Sequence, residues 1–150
     1  MARSPDATLP PNERLILRFE RDHVQGPYVL EQGIDVEGHS CSRESRITEL
    51  DSVRTEREPE LAYALPRELP QLPWTRGDAV DDPWEFFAVD DPTDENDAHA
   101  EIRNRRLSKR PDPRNDTAGH KGKSSLRDKL RATLADVLHV IDAQGNAIHR

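Results

Sequence analysis

The sequence predicts an α+β or mainly α protein: a small folded nucleus with a C-terminal amphipathic helix and long extended, proline-rich arms. Three observations lead there. Leu126, Leu130, Leu134, Val137, Leu138 and Ile141 recur at three-and-four spacing across residues 124–141, which gathers them on one side of a helix. Twelve prolines stand against seven glycines, and six of the prolines fall between 59 and 92, which favours extended, punctuated backbone. Hydrophobic residues make up 33% of the chain and charged residues 34%, short of the apolar share of an ordinary globular domain. Long segments are therefore expected to be disordered, or ordered only against a partner.

Five segments follow in order. Residues 1–11 read as a polar extended arm ending in Pro10-Pro11. Residues 12–58 read as the nucleus. In its first part Leu15, Leu17 and Phe19 alternate with Arg18 and Glu20, which suits a strand, and the turn at Gln25-Gly26-Pro27 leads to Tyr28-Val29-Leu30 as a return arm. A helix over 12–23 is the alternative. From Ser42, the spacing of Ile47, Leu50 and Val53 predicts a second helix that Pro59 ends.

Residues 59–92 form an acidic, aromatic-bearing strap. A short helical turn is expected at 60–65, and prolines space Leu69, Leu72 and Trp74 along polyproline II backbone. The pentapeptide Ala-Val-Asp-Asp-Pro occurs at 79–83 and again at 88–92, with Trp84-Glu85-Phe86-Phe87 between the copies. Such aromatics either dock into a groove or stay exposed. Residues 93–123 combine a predicted helix over 93–110 with a basic linker. Acids open that helix and arginines close it, as the macrodipole favours. Residues 124–150 hold the amphipathic helix, with Ser125 and Asp128 as its cap. A turn at 142–146 then leads to a terminal strand pairing back.

Charge is strongly divided. Residues 1–102 carry 10 arginines against 24 acids, and residues 103–150 carry 12 basic residues against five acids. The basic run includes Arg103, Arg105, Arg106, Lys109, Arg110, Lys121 and Lys123. It suits phosphate or an acidic protein surface, arginine being the better bidentate partner. No aromatics interleave it, which argues against a single-strand stacking platform.

Chemistry-bearing motifs are few. Gly122-Lys123-Ser124 before a helix resembles the end of a phosphate-binding P-loop. However, Thr117 stands where that pattern needs glycine, and the preceding proline-rich stretch cannot be a central strand. Arg67-Glu68-Leu69-Pro70-Gln71-Leu72-Pro73 fits a ligand of SH3 domains; an extended strap held by its own assembly is the simpler reading. Arg76-Gly77-Asp78 is too short to carry weight. Cys41 is the only cysteine, so neither a disulfide framework nor a cysteine zinc site is expected. His39 and Cys41 lack a second ligand pair at zinc spacing. The many carboxylates lie in hydrophilic stretches, where nothing shifts their pKa towards catalysis.

The expected function is therefore a non-enzymatic structural or assembly subunit that laces along partner proteins, further copies of itself included, in a multi-subunit complex such as a virus particle. Its partner-binding residues would be Leu69, Leu72, Trp74, Trp84, Phe86, Phe87, Leu126, Leu130, Leu134 and Leu138. A nucleic-acid-associated regulator using the basic 103–131 region is the alternative. No cofactor, metal, membrane or small-molecule substrate is expected. The N-terminus lacks the apolar run of a signal peptide, so an intracellular setting or a virus particle is the expected home.

Overall fold

The computed structural model describes residues 9–73, 83–117 and 124–150. Among them the chain is mostly β, which overturns the predicted α+β or mainly α class. The strands are β1 (Leu15–Phe19), β2 (Val24–Gln25), β3 (Tyr28–Val29), β4 (His39–Arg43), β5 (Glu60–Ala64), β6 (Gln71–Leu72), β7 (Trp84–Asp90), β8 (His99–Arg106) and β9 (His139–Val140). Seven of them make one curled antiparallel sheet in the order β6-β7-β8-β4-β1-β5-β9, while β2 and β3 form a separate hairpin. Among the described residues the one helix longer than a turn or so is α1 (Ser124–Ala135). No described helix is long and apolar enough to cross a membrane.

Alternation explains the sheet better than helical spacing does. In β8, Ala100, Ile102 and Asn104 are buried while His99, Glu101, Arg103 and Arg105 face the other way. A period of two suits a strand with one buried face. The helix expected over 93–110 is replaced by β8 at 99–106, because β7 supplies ladder partners along 100–106 and β4 along 99–102. The helix expected from Ser42 is replaced by the end of β4 and two short 3-10 turns, Glu44–Arg46 and Leu50–Val53. The helical turn expected at 60–65 is β5. Leu15, Leu17 and Phe19 do share a buried strand face, but β1 pairs with β4 and β5 rather than with the return arm. The hairpin instead joins Val24–Gln25 to Tyr28–Val29, with Gly26 at φ +59 making the turn.

The inner face of the sheet and α1 share one core. Leu15, Leu17, Phe19, Trp84, Phe86 and Ile102 meet Leu126, Leu130, Leu134 and Leu138 there, and Leu9 of the N-terminal arm joins them. The helix is shorter than the apolar stripe implied. It is described over Ser124–Ala135, so Ser125 lies inside it rather than capping it, and it ends at Ala135. Leu138 and Ile141 are still buried, reached by a turn and β9 instead of further helix. Ile141 packs on the opposite face of the sheet with Ile16, Val53 and Leu61. The terminal segment does return: Ile141 bridges Ala147 across a turn in which Gly145 has φ +85.

Candidate functional site

Most of the apolar residues expected to meet a partner are placed within this chain's own core. Trp84, Phe86, Leu126, Leu130, Leu134 and Leu138 are buried, and Leu69 and Leu72 are half-buried against the same core. Trp74 lies outside the described residues. The proline-rich segment bends through a 3-10 turn at Pro66–Glu68 and then pairs as β6 with β7. Phe87 is half-buried on the outer face, with the Arg105 guanidinium 3.9 Å from its ring centre. Phe87→Ala is expected to lower stability by about 1–2 kcal/mol, the sum of lost partial burial and cation–π contact. A urea titration of the variant measures it.

The basic residues are closed by carboxylates of the same chain. Arg103 meets Glu101 at 2.8 Å, Arg106 meets Asp116 at 2.8 Å and Arg114 meets Asp112 at 2.8 Å. Arg105 and Arg110 converge on Glu85, at 2.8 and 2.7 Å. Hydrogen bonds from Arg110 and then Arg105 outweigh burial and hold the Glu85 carboxyl below its usual range. Arg103 and Arg105 also donate to the carbonyls of Pro113 and Asp112, at 2.8 and 2.7 Å, which fastens residues 112–113 to β8. Past His39 at the start of β4, Asn115 and Asp116 side chains accept the N–H groups of Asn104 and Arg106, at 2.8 and 3.2 Å. They stand in for the missing neighbour strand and cover a sheet edge. A phosphate would have to displace these carboxylates one by one. Lys109 is exposed, and Lys121, Lys123 and the P-loop-like tripeptide fall among or beside residues outside the description.

His39 and Cys41 are both buried and serve the core. The Nδ1 of His39 accepts the Asp35 N–H at 3.0 Å, and its ring lies 5.3 Å from that of Phe19. Burial first, then the carboxylates of Glu101 and Glu13, pushes the Cys41 thiol up, away from thiolate chemistry.

A polar cluster that the sequence reading passed over sits on the outer face where β7, β8 and β4 meet. His99 Nδ1 is 2.8 Å from the Asp91 carbonyl oxygen and 3.4 Å from its carboxylate. On the far side of the ring, Nε2 is 3.2 Å from Ser40 Oγ. A carbonyl only accepts, so Nδ1 carries the proton and Nε2 is the acceptor for the serine hydroxyl. Asp91, His99 and Glu101 also offer ligand atoms within 4.8 Å of one another, a first requirement for a metal centre. The arrangement suits a guanidinium instead. Arg103 already lies 2.8 Å from Glu101 and 4.0 Å from Asp91, and the protonated Nδ1 is no ligand. Glu101 also lies close over Gly38, whose φ is +124 and where an added Cβ would clash with its carboxylate. Beside Ser40 lies a groove of about 50 Å³. In sequence these groups stand 59 residues apart, and only the strand-like pairs Ser40-x-Ser42 and His99-x-Glu101 hint that they share a face.

The remaining distinctive surface is at the β2–β3 hairpin. Tyr28 and Ile148, 48% and 39% exposed, are the exposed large hydrophobic residues among those described. The Arg150 guanidinium stands 5.4 Å from the Tyr28 ring centre and donates to the Leu138 carbonyl at 2.7 Å. No protein-family model, curated protein or solved structure matches this chain.

Proposed function

We propose that this protein is an assembly or adaptor subunit that docks on a partner protein through the patch of Tyr28, Ile148 and Arg150. The observation that carries the reading is the composition and setting of that patch. Tyrosine and arginine are enriched among the residues that dominate protein interfaces, tyrosine for its large contact area at low entropy cost and arginine for its planar fork of donors. Ile148, two residues before Arg150 in the chain, is an exposed large hydrophobic residue too. The patch is also held in place: Ile148 donates its N–H to the Val140 carbonyl at 2.8 Å, beside the edge strand β9. The closed pairing of the arginines favours a protein partner over phosphate backbone, since their charge is already neutralised.

A photo-reactive amino acid at position 28, compared with one at exposed position 94, tests the reading in cells that make the protein. Discrete cross-linked adducts are expected from 28 alone. The Tyr28→Ser, Ile148→Ser double variant is expected to weaken association with the cross-linked partner at least about tenfold, with an unchanged unfolding midpoint. Equal yields from both positions in a folded protein would remove the patch as the docking element. Tight duplex DNA binding that falls steeply with salt would move the reading to nucleic acid.

A further inference from the structure

The groups around His99 have a use that the docking reading does not draw on. Ser40 is exposed on β4, and its hydroxyl is the donor to a histidine ring whose tautomer is set from behind by Asp91. This is the order of parts that activates a serine: nucleophile, general base, and a group that orients the base. The orienting contact here is mainly the Asp91 carbonyl, at 2.8 Å, with its carboxylate 3.4 Å away to face the charge that forms on the ring.

The sheet register brings further groups to the same place. His99 pairs with Ser42 across β8 and β4, and Ile16 pairs with Ser42 across β1 and β4. Continuing the second register sets Arg18 opposite Ser40 on the outer face. Ile16 and Val53 form the apolar part of the groove, and Arg18, Ser42 and Asn96 the polar part. At about 50 Å³ the groove has room for an acetyl-sized group and little more. The Arg18 guanidinium, 3.6 Å from Glu58 and 3.5 Å from the Val53 carbonyl, and the Ser42 hydroxyl border the groove as donors for a negative oxygen developing there.

We propose that Ser40 is an activated serine that takes a short acyl group from small esters, with His99 as its general base. Ser40 Oγ forms a bond to the ester carbonyl carbon as its proton passes to His99 Nε2. The carbonyl electrons move onto oxygen, where Arg18 and Ser42 donate to them. Collapse of that intermediate breaks the bond to the leaving alkoxide, which takes the proton from His99. Water, deprotonated by the same ring, then attacks the acyl carbon; the bond to Ser40 Oγ breaks, His99 returns the proton to that oxygen, and the short carboxylic acid leaves.

The test uses the purified full chain with a fluorophosphonate probe and with p-nitrophenyl acetate, and maps the adduct by peptide mass spectrometry. Modification is expected at Ser40 and not at Ser42, Ser45 or Ser52. It should be faster by roughly 100-fold or more than in the urea-unfolded chain, the scale of general-base assistance. Ser40→Ala should abolish the adduct, and His99→Gln should slow it by a similar factor with the thermal unfolding midpoint retained. Should His99→Gln not fold, the comparison of native and urea-unfolded wild-type chain decides alone. Labelling spread evenly over the serines, equal native and unfolded rates, or a folded His99→Gln variant that reacts as fast as the wild type would each overturn the assignment. Because Tyr28 and Ile148 take no part, this result and the cross-linking result stand or fall separately.

Discussion

Arg43→Met is expected to destabilise the protein by about 3–5 kcal/mol, the cost of stripping a buried charge of its partner. Arg43 lies between two carboxylates under the sheet, 2.8 Å from Glu13 and 3.3 Å from Asp90. Asp90 is only 1% exposed. Burial works to raise the Glu13 carboxyl, but hydrogen bonds from Arg43 and Ser45 outweigh it and hold the group below its usual range. These contacts tie the start of β1, the end of β4 and the end of β7 together, three strands with no direct ladder between the first and the last. Methionine keeps most of the arginine's volume, so the loss measured is one of charge and hydrogen bonding. Urea unfolding at neutral pH gives the number. Adding Asp90→Leu to the variant should recover part of the loss, because one of the two buried carboxylates that faced Arg43 is then gone. A cost below 1 kcal/mol for Arg43→Met would show that water reaches the trio and screens it.

Stability is expected to fall by roughly 3 kcal/mol as pH drops from about 6.5 to about 4, through His39 alone. Burial brings the pKa of His39 down to about 4, with Arg18 adding to the effect and Asp35 opposing it. In the unfolded chain the ring takes up its proton near pH 6.5; in the folded protein it stays neutral until about pH 4. The unfolded state therefore binds the extra proton throughout that window, and acid favours unfolding. Above pH 6.5 the contribution is complete. Glu13 and Glu85, both held below the usual carboxylate range, act the same way but only at lower pH, as they too take up protons first in the unfolded chain. The interval from pH 6.5 to 5 thus isolates the histidine. His39→Asn retains an acceptor for the Asp35 N–H and removes the titrating ring. Unfolding free energies measured across that interval should slope for the wild type and lie flat for the variant. Parallel slopes would assign the acid sensitivity elsewhere.

The legible parts of this chain were those in which one local pattern had no rival. Leu126, Leu130 and Leu134 could share a face only in a helix, and α1 is there. Leu15, Leu17 and Phe19 alternate with Arg18, and β1 is there. Residues 99–106 were misread because charge order along the chain satisfies a helix dipole as well as it satisfies a strand. Cross-strand pairing chose between them, setting Glu85 opposite Arg105 and burying Ala100 and Ile102. The strap was misread for a related reason. Prolines at 66, 70 and 73 do break regular structure, yet they leave room for two-residue β6 at the edge, where a proline's missing N–H does least harm. The groups around His99 left little trace in sequence beyond the strand-like pairs at 40/42 and 99/101, since Ser40, Asp91 and His99 become neighbours only through β4–β8 and β7–β8 pairing.

By itself, then, the sequence determined the pieces whose cause is local: the amphipathic helix, the first strand, the turn at Gly26, and the opposed charge of the two ends. Tertiary structure decided the rest. It turned the aromatic strap into core and paired the basic run with the chain's own acids. It also brought a serine to a histidine 59 positions away. The physical reason is common to all three. A strand gains its hydrogen bonds and its buried face from other strands, so its identity rests on partners that no local window contains.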